Sequence, residues 1–327
     1  MQAVFYCSQG PAHEVMRFGE QPLPEPAAGE VRVRLYASGV NPSDWKVRKG
    51  GSGRSLIAPL IIPHSDGAGV IDAVGEGVPE SRIGERVWIW NGQWKRAFGT
   101  AAQYIALPSS QAVALPARLG YPEGACLGIP ALTAMHAVRI AEANRGMTIL
   151  VVGGAGAVAH YAIQMAKARG ATVLTTVSTA AKEKHARDAG ADHVINYRNE
   201  DVGSRVKSLT AGAGVDALIE MDVSANGGAY PQILKPRAKV IVYGMSKGEA
   251  TLPSLWLMLN SITLRFFLIY EITQEQREGA LRELTGLLAK DALEHSIGLR
   301  LPLRDAATAH DRIEQGSVMG NVVLDIP

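Results

Sequence analysis

The sequence predicts an α/β protein of two unlike parts, and three observations carry that expectation. Between Thr148 and Leu268, six apolar runs alternate with helix-like segments, the pattern of βαβ units in a parallel, doubly wound sheet. Residues 1 to 125 hold 11 of the 17 prolines and read as short alternating runs between turns, which predicts a β-rich unit, a small barrel. A glycine-rich turn stands directly after the first of the six runs. A chain of 327 residues has the length of about two domains and buries enough apolar surface to need no covalent staples.

In the first part, Glu30-Val31-Arg32-Val33-Arg34-Leu35 alternates with period two, and Gly75-Glu76-Gly77 signals a turn. The six runs of the middle part are Thr148 to Val152, Ala171 to Val177, His193 to Tyr197, Ala217 to Met221, Lys239 to Tyr243 and Ile262 to Leu268. After Glu271 the pattern reads as a helix to about Lys290, a strand, a helix over Asp305 to Gln315 and a last strand, Val322 to Asp325. This tail is too short for its own core and is expected to pack on the first part. The division expected is therefore 1–125 with 270–327, and 126–269 between them. No charge-free apolar stretch reaches the ~18 residues of a membrane span. Leu252 to Tyr270 comes nearest and carries Asn260 and Arg265.

Composition narrows the function. Lys plus Arg number 33 against 31 Asp plus Glu, a net +2 without a basic run, so nothing marks a nucleic-acid or anionic-membrane partner. With 47% hydrophobic and 20% charged residues the chain is globular rather than disordered, and small molecules are the expected partners. Cys7 and Cys126 are too few for a disulfide framework, and with the lack of a signal-peptide pattern they predict the reducing cytoplasm.

The run Ile149-Leu150-Val151-Val152 enters Gly153-Gly154-Ala155-Gly156-Ala157-Val158-Ala159. A helix opens there with Val158, Ala162, Ile163 and Ala166 on one face and His160, Gln164 and Lys167 elsewhere, and Gly170 stands where a C′ glycine would end it. Strand, glycine turn, helix and second strand together form the dinucleotide fingerprint, in which free N–H groups at the helix start receive a pyrophosphate. Ala159 replaces the third glycine, a substitution the fingerprint tolerates. The end of the second strand selects the nucleotide. An acid there would bind the ribose 2′-OH of NAD, but the chain reads Val177-Ser178-Thr179-Ala180-Ala181-Lys182. Ser178 and Lys182 suit the extra phosphate, so NADPH is the expected cofactor. Taken alone, Lys182 reads better as an exposed helix lysine, and it is its position after an acid-free strand end that favours the phosphate.

These segments, with Gly39-Val40-Asn41-Pro42-Ser43-Asp44-Trp45-Lys46, Ser65-Asp66-Gly67-Ala68-Gly69-Val70-Ile71, Gly128-Ile129-Pro130-Ala131-Leu132-Thr133-Ala134 and Gly190-Ala191-Asp192-His193-Val194-Ile195-Asn196-Tyr197, give the chain a resemblance over essentially its whole length. It resembles the zinc-independent quinone oxidoreductase (zeta-crystallin-like) branch of the medium-chain dehydrogenase/reductases. The resemblance implies a GroES-like β-barrel catalytic domain built from both chain ends, a Rossmann domain between them, and NADPH in the cleft. It places Gly154, Gly156, Ala157 and Val158 at the pyrophosphate, and Tyr197 beside Ser178 and Lys182 at the 2′-phosphate. Asn41, Thr133, Tyr243, Gly244, Phe267 and Leu268 would lie along the nucleotide, Asn41 and Thr133 near the nicotinamide. Where relatives read Gly-Gly-Val-Gly, this chain has Gly156-Ala157-Val158-Ala159.

Zinc-dependent relatives carry a cysteine near Gly39-Val40 and a His-Glu pair before Gly67, where this chain has Asn41, Ser65 and Asp66. Asn and Ser are not normal zinc ligands, and the eight histidines form no ligand-spaced pair, so no metal is expected. Without a Lewis acid, catalysis must rest on holding the nicotinamide against an electron-poor acceptor and on hydrogen bonds to the oxygen that gains charge. Quinones and α,β-unsaturated carbonyls suit this. Asn41 can donate to that oxygen or satisfy its own loop. Lys46 stands where quinone reductases often have tyrosine and resembles alkenal/enone reductases instead. It can polarise the carbonyl, or pair with Asp44 and face solvent. Trp88, Trp90, Trp94 and Phe98 read as acceptor wall or as core. Leu264-Arg265-Phe266-Phe267-Leu268 resembles the sixth strand that pairs across a dimer axis in relatives, which implies a homodimer. The rival readings are an enoyl-thioester reductase, for which no basic patch is present, and a non-catalytic NADPH-binding sensor or crystallin-like protein.

Overall fold

The computed structural model describes residues 1–50 and 55–327, which form two compact units, Met1–Pro130 with His295–Pro327, and Ala131–Glu294. The first unit opens with the hairpin-like pair β1 (Gln2–Phe5) and β2 (Arg17–Glu20). Its main sheet has seven strands. In chain order these are β3 (Glu30–Val40), β4 (Asp66–Val74), β5 (Arg86–Ile89), β6 (Tyr104–Pro108), β7 (Ala112–Ala114), and, from the other chain end, β14 (Ile297–Pro302) and β15 (Asn321–Asp325). Eleven-residue β3 organises the sheet, pairing antiparallel with β4, β6 and β15. Register shifts at Arg32/Val33 and Leu35/Ala37 bend it around a core of Val31, Val33, Leu35, Ile71, Val87, Ile89, Ile105 and Leu107. The alternation read at 30–35 is thus the inward face of β3: Val31, Val33 and Leu35 are fully buried.

The second unit is a six-stranded parallel sheet. Its strands are β8 (Thr148–Val151), β9 (Thr172–Val177), β10 (His193–Asn196), β11 (Val215–Glu220), β12 (Leu234–Val242) and β13 (Thr263–Phe266), in the order β10-β9-β8-β11-β12-β13. That order reverses at β8/β11, the topological switch point of a Rossmann sheet, outside whose strand ends a ligand crevice forms. Helices Leu132–Ile140, Ala157–Ala168, Ala180–Asp188 and Val202–Leu209 belong to this unit.

One expectation changes. Helix Gln274–Ala289 belongs with the parallel sheet and not with the chain ends, so the divisions fall after Pro130 and Glu294 instead of near 125 and 270. Its Glu283 takes ion pairs from Arg139 and Arg169, and its buried Arg277 donates to the Ile269 carbonyl. Long-range charge pairing of this kind leaves no mark in local composition. His160, off the apolar face read from the sequence, is buried as well. It is 3% exposed and its ring lies 4.6 Å from that of His185, because helix 157–168 is covered on nearly every side.

Candidate active site

β8 leaves the sheet at Gly153, whose φ of +73° requires glycine. The Gly153 N–H donates to Thr176 Oγ1 at 3.0 Å and the Gly154 N–H to the Thr176 carbonyl at 3.0 Å, which fixes the turn against β9. At Gly154 a Cβ would stand 2.3 Å from Thr175 Oγ1, so glycine there is a packing requirement. Gly156 differs. Its φ of −78° is ordinary, it is exposed, and an added Cβ would meet only the Gly153 carbonyl at 3.4 Å. Neither backbone nor packing demands glycine at 156, whereas close approach of a ligand does. Gly156 is also the N-cap of helix Ala157–Ala168 and supplies no side-chain cap, so the helix start offers its orphan N–H groups and dipole to an anion. Of the two methyl groups that replace glycine, that of Ala159 is buried in the packing, while that of Ala157 is half-buried at the helix start. These features fit a dinucleotide pyrophosphate.

Ser178 follows β9, is 8% exposed, and stands two residues before helix Ala180–Asp188. Lys182 lies in the first turn of that helix, its amide held by the Thr179 N-cap hydroxyl. Tyr197 follows the neighbouring β10, half exposed, with its N–H on the Val177 carbonyl at 3.1 Å. Because β9 pairs with both β8 and β10, the structure brings these three residues to the strand ends beside the glycine turn.

Tyr243 and Gly244 follow β12. The Tyr243 N–H donates to the Glu220 carbonyl at 3.0 Å, and a Cβ at Gly244 would press 2.3 Å from the Met221 carbonyl. Phe267 follows β13, its N–H on Val242 at 3.1 Å, and its ring meets His136 edge-on at 4.8 Å. Leu268 beside it is 40% exposed. Thr133 lies one turn before His136 on helix Leu132–Ile140, 4% exposed, with Oγ1 lacking a hydrogen-bond partner among the described residues. A buried hydroxyl without a partner is costly and suits a ligand polar group.

Asn41 and Lys46 belong to the first unit. Asn41 caps helix Pro42–Lys49 in a capping box with Asp44: its N–H donates to Asp44 Oδ2 at 2.7 Å. Its side-chain Nδ2 donates to Asp66 Oδ2, also at 2.7 Å. Asn41, Asp44 and Asp66 are all buried. Burial pushes the Asp44 carboxyl up to about 7 despite the Asn41 amide, and pushes Asp66 well above the usual carboxylate range, with Asp44 adding to the effect. The buried Cys126 thiol is raised by the same cause, with Asp66 and Glu123 contributing. Lys46 lies in the last turn of its helix, half-buried, with Nζ 5.8 Å from the centre of the Trp45 ring. Trp88 is fully buried and Phe98 packs on the core of this unit, so both serve as core; Trp90 and Trp94 are half-buried.

Sequence reading missed one cluster. His64 and His310, 246 positions apart, stack in the interior with Nε2 atoms 2.8 Å apart, and His64 Nδ1 meets Ser38 Oγ at 3.0 Å. Both nitrogens of His64 thus have hydrogen-bond partners. Among the described residues no three His, Cys, Asp or Glu side chains group as a metal site would require. No sequence spacing signals such a pair, because opposite chain ends supply it.

A sheet with this strand order and a glycine-turn anion site, flanked in sequence by a β unit made from both chain ends, defines a two-unit nucleotide-dependent dehydrogenase/reductase. Residues 27–117 match the family model described as "Alcohol dehydrogenase GroES-like domain", and residues 157–286 that described as "Zinc-binding dehydrogenase". The rat quinone oxidoreductase is 30% identical over 304 residues, 92% of this chain and 91% of the relative. The Escherichia coli quinone oxidoreductase, solved in complex with NADPH, superposes with a TM-score of 0.87 at 28% identity, covering 99% of this chain and 100% of that one. A structure described as an NAD-dependent alcohol dehydrogenase gives 0.90 at 28% identity with full coverage of both chains, so backbone shape alone does not select the nucleotide. This chain belongs to the quinone oxidoreductase family of the medium-chain dehydrogenase/reductases.

Proposed function

We propose that the chain is an NADPH-dependent reductase that reduces quinones or α,β-unsaturated carbonyls without a metal. The observation that carries the reading is the acid-free end of β9. Ser178 and Lys182 stand there beside a glycine turn whose Gly156 has no structural reason to be glycine. Likeness to an NADPH-bound quinone oxidoreductase supports it. NADPH, when bound, supplies the hydride. The residues at the helix start hold its pyrophosphate, and Ser178, Lys182 and Tyr197 its 2′-phosphate. Thr133 Oγ1 offers a buried polar contact, and Tyr243, Gly244, Phe267 and Leu268 line the nucleotide. Asn41 donates to the acceptor oxygen or to the cofactor, and the Lys46 ammonium stabilises charge on that oxygen as it develops.

Lys46 favours an enone among the acceptors, because an enolate needs more help than a hydroquinone anion. Asn41, Ser65 and Asp66 support zinc independence. The exposed Phe266 and Leu268 at β13, and Leu255, Met258 and Leu259 on helix Ser254–Leu259, support a homodimer through the sixth strand. The decisive experiment is NADPH oxidation at 340 nm with 1,2-naphthoquinone and with an alkenal, on protein assayed for metals. Turnover that survives chelators on zinc-free protein is expected. Loss of activity together with about one zinc per chain, or no turnover with any acceptor, would overturn the reading.

A further inference from the structure

Asp66 is fully buried at the start of β4, on a strand whose next residues are Gly67, Ala68 and Gly69. Its carboxyl is clamped. A Cβ at Gly128 would stand 2.1 Å from Asp66 Oδ1, so that glycine makes room for the carboxyl, while one at Gly39 would meet the Ala125 carbonyl first, at 2.2 Å, with Asp66 Cβ at 3.0 Å. Among the described residues no ion pair neutralises it. Among the described residues its one side-chain hydrogen-bond partner is Asn41, whose Nδ2 donates to Oδ2 at 2.7 Å, and the Ile129 backbone amide also donates to the carboxyl. From the other side the Asn41 backbone is tied to Asp44 through Asn41 N–H to Oδ2 at 2.7 Å and Asp44 N–H to the Asn41 carbonyl at 3.0 Å.

An Asn amide nitrogen has two hydrogens. One is spent on Asp66, and that bond fixes the plane of the amide and the direction of the other hydrogen. A buried carboxyl without a counter-charge is an expensive way to fill space, since an apolar side chain would fill it at lower cost. Asp66 must therefore do something that an apolar residue cannot.

We propose that Asp66 is a positioning residue: it orients the Asn41 amide so that its second N–H is presented to the acceptor oxygen or cofactor during reduction. The inference rests on the role given to Asn41 above. Asp66 touches neither substrate nor cofactor and acts only through Asn41.

A double-mutant cycle on kcat with 1,2-naphthoquinone tests it, with NADPH binding followed in parallel by fluorescence. Asn41→Ala should lower kcat about tenfold or more. Asp66→Leu, nearly isosteric but without an acceptor atom, should lower kcat by a similar factor while the KM for the quinone and the Kd for NADPH change less than about threefold. Asp66→Asn keeps an acceptor oxygen and should restore kcat to within about threefold of wild type. In the Asn41→Ala background, Asp66→Leu should have no further effect. If both single variants lose activity and their losses multiply, Asp66 acts independently and the inference fails while the role of Asn41 stands. If Asn41→Ala turns over like wild type, it is the role of Asn41 that fails. Should Asp66→Leu not fold, the two Asn41 side-chain protons in the wild type report directly. One should be shifted downfield and protected from exchange; two equivalent, fast-exchanging protons would overturn the proposal.

Discussion

Lys46 and Lys182 pose the same question at the scale of one side chain: whether a cation does chemistry or only sits on a helix. Lys46→Met keeps much of the stem and removes the ammonium, whose Nζ lies 5.8 Å from the centre of the Trp45 ring, which separates packing from electrostatics. If the ammonium stabilises a developing enolate, kcat on an alkenal falls roughly 10²-fold, the effect of a lost oxyanion donor, with quinone reduction less affected and NADPH affinity unchanged. Equal turnover of Lys46→Met and wild type on both acceptors would reduce Lys46 to a structural lysine. For Lys182→Ala the expected loss is about tenfold in the preference for NADPH over NADH, the worth of roughly 1.4 kcal/mol in a charge-assisted phosphate contact, read from the two Michaelis constants. An unchanged ratio would return the phosphate to Ser178 and Tyr197 alone. Both lysines were legible as candidates because motif position singles them out. Asp66 was visible only as part of the Ser65-Asp66-Gly67 motif and as a carboxylate with too few companions for a zinc site, since its partner Asn41 lies 25 positions away on another strand end.

Among elements, β13 carries the clearest expectation. It is an edge of the parallel sheet, paired only with β12 among the described residues, with Phe266 half exposed. An apolar edge left open invites pairing with another chain. Phe266→Glu would place like charges close together across a two-fold strand pair, so light scattering should show a dimer for wild type and a monomer for the variant. A monomeric wild type at tens of micromolar would remove the dimer. Strands were readable here because a parallel sheet buried on both faces reads as apolar runs bounded by turns. The affiliation of helix Gln274–Ala289 was not readable, because the Arg139–Glu283–Arg169 bridge joins elements more than a hundred residues apart.

For the whole molecule, the buried groups of the first unit set how stability follows pH. Burial lowers His64 to about 3 and His310 well below its ordinary value, with His64 and Arg48 adding to the effect on His310. Unfolded, these two imidazoles take up protons below about 6.5, which weakens the fold on acidification. Asp44 and Asp66 act in the opposite sense. Folded, they keep protons that the unfolded chain releases above about 4, so their contribution is fully present below that pH and is lost as pH rises, through about 7 for Asp44. Within this unit the two carboxyls and the two imidazoles thus act in opposite directions between about pH 4 and 6.5 and offset one another, while below 4 the imidazoles act alone and stability should fall. Asp44→Asn, which keeps an acceptor for the Asn41 amide, leaves the imidazoles in excess by one proton. Its stability should then decline as the pH falls from 6.5 towards 4. Urea unfolding followed by tryptophan emission reads this unit, which holds Trp45, Trp88, Trp90 and Trp94 of the five tryptophans. A variant as flat as wild type would disprove the compensation. The sequence by itself determined the strands, the glycine turn, the nucleotide preference expected from the end of β9 and the family, because each is written in local pattern or contiguous motif. Only the tertiary structure decided the Asn41–Asp66 bond, the His64–His310 stack and the place of helix Gln274–Ala289. Burial and long-range pairing arise when distant segments meet, and no spacing along the chain encodes which ones will.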